Sequence, residues 1–568
     1  MRKIGAIGLS VVIVASSFTS VFARAQQERD PHRTPASTDS EHVIELSAVV
    51  QDKKGNYVTN LSRRDFTVLE DGRPRPIESL IGPNDWPAPR TAKALPPDTY
   101  SNRLDSSGGV APNVTVILFD AREMDAQDLS AAREQLIQLL RGREPTDRLG
   151  VYILGDTLQV IQDFTSQPTD LNLAIRQIDE YIKQSSAQPA ESTSKPSQGR
   201  LLPLVQSPKG QEAWREYLEM EHGYLGNLIR DEWSAQRQLA NRLAGVSGRK
   251  NIVWMGLPPR SVSPTSWPTA AFLALGTTGP DTVGADLAMY ENGMSRSLGD
   301  VGVSIYPVGS KRIVVSESES VYSGDGSNGQ SNVGYFETVA KIADHEGLGT
   351  IARNTGGIAT SSVRDLPEAL KAASEDSRSA YAISFVGQAR DKAARPHIVK
   401  VLVNQANLRV RARTVVNSMP TDQPKELRQY LLAETASSEI DATGISMTVE
   451  MRDSGSSTVR KFLAKIRFDP RELHLERTDR GWAGNIDTVL LQLDAAGNSV
   501  EIDDKTEHLE FKTENPEYLP SSDTSCSSCT REITLSPKAA QLCVLVQDSR
   551  TGTVGTVHIP LSKYLPAS

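Results

Sequence analysis

Long apolar runs are scarce in this chain of 568 residues, and aromatic residues make up only 5% of it. Beyond the first segment, nothing reaches the roughly 20 consecutive apolar residues that a membrane-spanning helix needs. Cysteine is almost absent. Cys526, Cys529 and Cys543 are the three present, so no disulfide framework holds the fold and the domains must stand on their cores. Positive charge is not in excess either. The net charge is −8, which excludes a general nucleic-acid binder, because phosphate recognition needs clustered Lys and Arg. The eight histidines are scattered, without a His-Glu-x-x-His pattern. No nucleophile–base set can be read from the sequence, so a non-enzymatic chain with no cofactor is expected.

What is present begins with a targeting pattern. Arg2 and Lys3 precede the apolar stretch "IGAIGLSVVIVASSF", and Ala23-Arg24-Ala25 is a small-x-small cleavage site. Together they read as a secretory signal peptide over residues 1–25, with a mature chain that begins at Gln26. Polar residues 26–41 are expected to be disordered. The protein is then exported, periplasmic or secreted, with no stable membrane span after signal cleavage.

Hydrophobic content of 38% allows several folded cores, and the length implies several domains. Residues 42–80 alternate in the β manner, with Asp71-Gly72 as a turn pair, and form an expected small N-terminal β module. Residues 81–112, rich in Pro, Ser and Gly, read as a linker. From Val114 the pattern changes to alternating strands and helices, starting with the buried run "VTVILF" and a helix striped by Leu129, Ala132, Leu136 and Leu140. Such alternation implies a doubly wound α/β domain, expected over 113–415 with insertions near 184–210 and 258–333. Within it, "HIVKVLVN" and "LRVRARTVV" look like a closing hairpin. After a linker at 416–428, short alternating strands at 429–568 imply an all-β, sandwich-like domain that folds by itself.

Several stretches in order, among them "LSRRDFTVLEDGRPRPI", "VTVILFDAREMD", "GRKNIVWMG", "VGVSIYPVG" and "LGTIARNTGGIATSSVRDLPEAL", resemble the von Willebrand factor A-related proteins exported by bacteria of the acidobacterial type. The resemblance covers roughly residues 42 to 415. It implies a parallel sheet with one antiparallel edge strand and a binding, adhesion or scaffold role toward a protein or cell-surface ligand. Domains of this family often hold a divalent metal through Asp-x-Ser-x-Ser after the first strand. Asp120 matches the first position, but Arg122 and Met124 replace the two serines. Arg has no acceptor, and a hard cation avoids thioether sulfur. Where the family places Thr-Asp-Gly, this chain has Gly256-Leu257-Pro258. The metal site is thus expected to be degenerate. Arg122 or backbone N–H groups would fill the vacated space; the other reading recruits Glu123 or Asp125 beside Asp120.

Other motifs are better read as ordinary structure. Gly324, Gly326 and Gly329 spell a nucleotide-loop pattern, but no strand leads into it. Ser192 to Lys195 spell Ser-x-x-Lys inside a low-complexity insertion. Cys526 and Cys529, in a polar loop of an exported chain, are expected to form a disulfide. The rival to a binding protein is a hydrolase whose site is assembled from distant residues. A cleft that collects Ser or Asp with one of the scattered histidines would favour it.

Overall fold

The computed structural model describes residues 43–86, 95–103, 113–121, 124, 126–142, 148–155, 157–165, 168–187, 226–246, 248–256, 298, 301–309, 348–387, 396–417, 425–454, 461–512 and 528–564. Residues 1–25, read as a signal peptide, residues 26–41, most of both insertions, Leu257, Pro258 and Cys526 lie outside them, as do the nucleotide-loop and Ser-x-x-Lys motifs.

The centre is a five-stranded sheet. β6 (Val114–Asp120), β7 (Arg148–Leu154), β9 (Lys250–Met255) and β10 (Val303–Val308) run parallel, and β8 (Leu158–Thr165) is an antiparallel edge, in the order β10-β9-β6-β7-β8. Every residue of β6 is buried, as expected of a strand covered on both faces. Period-two alternation sends Ile117 and Phe119 to one face and Val116 and Leu118 to the other. The first face packs on α1 (Ala126–Gly142), α2 (Pro168–Ala187) and α4 (Leu366–Ser379); the second packs on α3 (Gly226–Leu243). The stripe read from the sequence is the buried one: Leu129 is 3% exposed, and Ala132 and Leu136 are fully buried. Each such large apolar side chain contributes about 1.5–3 kcal/mol.

The N-terminal strands do not form a module of their own. β1 (Val43–Gln51) pairs with β11 (Ala380–Val386) and β13 (Arg409–Ala412), and β2 (Phe66–Glu70) pairs with β12 (Pro396–Val403). With β3 (Arg73–Arg75), β4 (Ile77–Ile81) and β14 (Val415–Asn417) they make two four-stranded sheets, β13-β1-β11-β4 and β14-β12-β2-β3. A shared core of Leu46, Phe66, Val68, Tyr381, Ile383, Phe385 and Val399 joins the sheets. The expected boundaries at 80 and 415 therefore change, because residues 380–417 belong with residues 43–81. Strands β12 and β13 lie in different sheets rather than in one hairpin. The α/β unit is an insertion, and it is closed without a linker: α4 ends at Ser379 and β11 starts at Ala380.

At that junction lies a buried polar cluster. Asp376, near the end of α4, is fully buried. Arg411 of β13 grips its carboxylate with two nitrogens at 2.7 and 2.5 Å, and the hydroxyls of Tyr57 and Tyr306 also donate to it. Arg249, just before β9, lies 3.5 Å from the same carboxylate. It also donates to Ser47 Oγ of β1 at 2.9 Å and to the Gly356 oxygen at 3.0 Å. Burial works against the charge on Asp376, but the two guanidinium groups and Tyr306 hold its carboxyl below the ordinary carboxylate range.

The C-terminal region packs two further sheets, β20 (Ser528–Thr534)-β16 (Lys461–Phe468)-β15 (Met447–Asp453)-β5 (Thr99–Ser101) and β17 (Glu476–Thr478)-β18 (Gly481–Leu493)-β21 (Gln541–Asp548)-β22 (Val554–Pro560), with β19 (Ser499–Phe511) also on β18. Val449, Phe462 and Ile466 of the first meet Ile486, Leu490 and Val544 of the second. Helix α5 (Lys425–Ala436) begins inside the segment read as a linker. Gly245, just past α3, meets this region without room for a side chain: a Cβ there would stand 2.3 Å from the Thr443 oxygen.

Strand β5 also lies inside a segment read as a linker, yet it pairs with β15. The buried Asn102 behind it donates to the oxygens of Ala442 and Ile445 at 2.6 and 2.8 Å and accepts from Met447 N–H at 2.9 Å. A fragment of residues 425–568 lacks both features. Asn102→Ala would orphan the Ile445 carbonyl and the Met447 amide, while the Ala442 carbonyl keeps the Thr556 N–H, and we expect a loss of roughly 1–3 kcal/mol in urea unfolding with an unchanged slope. A loss below about 0.5 kcal/mol would show that this strand is not part of the C-terminal fold.

Candidate functional site

Asp120 ends β6, level with Leu154 of β7 and one strand from Met255 of β9. This is the carboxyl end of a parallel sheet, where open α/β folds bind their ligands. The alternation of β6 puts its side chain on the same face as Leu118, beside Trp254 of β9. The Trp254 indole N–H donates to Asp120 Oδ2 at 3.2 Å, and both residues are fully buried. Met124 of the following loop packs on the opposite face, in the core that holds Phe119 and Met255. Its N–H donates to the Asp120 oxygen at 3.0 Å, and it is 5% exposed. Gly256 passes close beside Asp120 with φ of +97°; a Cβ there would meet Asp120 Cβ at 3.0 Å and Met124 Cγ at 3.2 Å.

The arrangement is a buried carboxylate with an indole donor. Met124 occupies, in sequence, the place of a serine ligand in the metal-binding family, and here it packs as core. Arg122, Glu123 and Asp125 lie outside the described residues. Sequence reading missed Trp254 as a partner of Asp120. The signal was available in "IVWMG", since a tryptophan two residues before the Gly256 turn must lie near the end of its strand. Among the described residues, no group of three or more His, Cys, Asp or Glu side chains is arranged to hold a metal ion.

Cys526, one half of the expected cysteine pair, lies outside the described residues. Cys529 is a free thiol. It lies within β20, opposite Ile466, and packs against the C-terminal core rather than sitting in a polar loop. Burial pushes its thiol up to about 12.

Two histidine-bearing places emerge that the sequence did not reveal. A cleft of about 860 Å³ at one end of the C-terminal sheets is lined by His474, Trp482, His508, Phe511, Ser549 and Arg550, among others. Ser549 donates to Asp487 at 3.0 Å, which directs its proton away from either imidazole, and His508 Nδ1 faces Asn485 Oδ1 at 2.7 Å. Elsewhere Cys543, His558 and Asp441 come together, but Cys543 is fully buried. At the second place the buried thiol is closed to a substrate.

No family model and no curated protein matches the chain. Among solved structures, it is similar to an aerotolerance-related membrane protein of Bacteroides fragilis, at 13% identity and a TM-score of 0.23, over 46% of this chain and 98% of that one. It is also similar to the ArnB paralog VWA2 of Sulfolobus acidocaldarius, at 9% identity and a TM-score of 0.19, over 70% of this chain and 82% of that one. The functional reading rests on the strand order β10-β9-β6-β7-β8 and the enclosure of Asp120, and not on these likenesses.

A ligand that binds only the folded state must raise the melting temperature. We expect Mg²⁺, Mn²⁺ and Ca²⁺ at millimolar levels to leave it unchanged. A rise that disappears in Asp120→Ala would establish a remodelled metal site. The same substitution strands the Trp254 N–H and should cost about 1–3 kcal/mol.

Proposed function

We propose that this chain is an exported, non-enzymatic binding or scaffold protein whose α/β domain engages a protein or cell-surface ligand without a divalent metal. The observation that carries the reading is the complete burial of Asp120 beside Trp254, whose indole N–H it accepts. A cation that recruits a partner's carboxylate needs an open coordination position, and this carboxylate offers none. The signal-like N-terminus supports export to the periplasm or medium. The negative net charge favours a protein or cell-surface partner over nucleic acid. No helix among the described residues is long and apolar enough to cross a membrane. The second reading, a hydrolase, draws on the cleft that Ser549, His474 and His508 help to line.

The test is affinity capture from an extracytoplasmic fraction of the source cells, in EDTA and in millimolar Mg²⁺. The wild-type chain is compared with a variant carrying Arg122→Glu, Glu123→Lys and Asp125→Lys. The expected result is a partner retained equally in both buffers, lost with the variant, and a recovered chain that starts at Gln26. Retention only in Mg²⁺, or recovery of the chain in the cytoplasm, contradicts the proposal. Ester or peptide hydrolysis by the pure chain that is abolished in Ser549→Ala favours the hydrolase.

A further inference from the structure

Helix α5 lies on the outer face of the C-terminal sheet. Its Leu432 and Ala436 pack on Val489, Leu491, Leu493, Cys543 and Leu545. At its end stands His558 of β22, directly opposite Cys543 of β21 in the strand register. Its Nδ1 is 2.7 Å from Asp441 Oδ1, and its Nε2 is 3.3 Å from the main-chain oxygen of Ala436. Ala436 is the last residue of α5. The His558 main-chain N–H reaches the same Asp441 oxygen at 3.1 Å. A carbonyl oxygen cannot donate a hydrogen bond, and neither can an ionised carboxylate. With both ring nitrogens facing acceptor oxygens, the geometry favours a proton on each and hence the imidazolium.

Its surroundings support the charge. The last carbonyls of a helix lack partners within it, and a cation there meets the negative end of the helix dipole. Burial by itself disfavours the charged ring, but the Cys543 sulfur and the Asp441 carboxylate outweigh it, and the ring titrates well above the ordinary 6.5. The other charged groups nearby are engaged with one another. Glu434 of α5 pairs with Arg237 of α3. Arg242 of α3 pairs with Asp163 and touches Asp441 through its main-chain oxygen, at 3.4 Å.

We propose that the His558 imidazolium is a pH-operated clamp that fastens the end of α5 and the Asp441 loop to the C-terminal sheet, and that its deprotonation releases α5 from the apolar face holding Cys543. The direction follows from linkage. A group whose proton is held more tightly in the folded state contributes its full stability below its unfolded value, about 6.5 for His, and loses it as pH rises through the folded value. The clamp is thus closed in acid and neutral conditions and loosens in alkali. Release would also withdraw Glu434 from Arg237, so the effect reaches the α/β unit.

Hydrogen exchange of the full chain, corrected for intrinsic rates, from about pH 6 to about pH 10, tests this. We expect α5 amides to hold their protection near pH 6 and lose about tenfold or more by pH 10, while β15 and β16 amides keep theirs. In a Cys526→Ser, Cys529→Ser background, maleimide labelling of Cys543, normalised to the unfolded thiol, should rise over the same range. His558→Gln should show low α5 protection throughout, without the pH step. If that variant fails to fold, Asp441→Asn should move the step to lower pH. A flat α5 profile in the wild type overturns the clamp. So does a wild-type step in His558→Gln or in Asp441→Asn, or a loss shared by all strands.

Discussion

Everything in this structure turns on one buried carboxylate. Asp376 collects two guanidinium groups and two tyrosine hydroxyls at the point where the inserted α/β unit returns to the discontinuous sandwich. Its partners come from four separate stretches of chain: Tyr57, Arg249, Tyr306 and Arg411. A buried ion pair of this kind adds little net stability compared with an apolar substitute, but removing one partner leaves an uncompensated charge and costs about 3–5 kcal/mol. The cluster therefore specifies an arrangement. It requires the first strand, the centre of the sheet and the returning strands to meet in one geometry.

The opposite, carboxyl end of the sheet is where the proposed function places the ligand. There the chemistry is closed rather than open. The indole of Trp254 donates to the buried Asp120, and Gly256 passes close beside it. The three candidate charged residues of the loop beyond β6 are the ones sequence reading assigned to a partner. A rigid frame beneath a variable loop is how many folds present a binding surface, and the proposed function rests on that division of labour.

Much of the α/β unit was legible in the sequence, because fully buried parallel strands and amphipathic helices leave strong local patterns. "VTVILF" and the Leu129, Ala132, Leu136 stripe are found where the periodicity puts them. The sandwich was legible strand by strand but not in its partnerships. Nothing local in "VIELSAVV" shows that it pairs with "AYAISFV" more than 300 residues later, since pairing across an insertion leaves no periodic trace. Strand β5 was lost in a Pro- and Ser-rich stretch because three residues are too few for alternation to register. At the site, Asp120 was visible from its position after a strand. The sequence marks Trp254 as lying near the end of its strand, just before Gly256, but which neighbour it meets depends on the register between adjacent parallel strands.

The central claim is that the Asp376 cluster makes the α/β unit and the discontinuous sandwich one cooperative body. Urea unfolding followed by pulsed hydrogen exchange in β6 and β9, and separately in β1 and β11, tests it most directly. In the wild type the two regions should lose protection at one midpoint. In Asp376→Asn, which keeps the shape but removes the charge, the midpoints should separate and β1 and β11 should open first, with a loss of about 3–5 kcal/mol. A single shared midpoint in the variant, with a loss below about 1 kcal/mol, would contradict it.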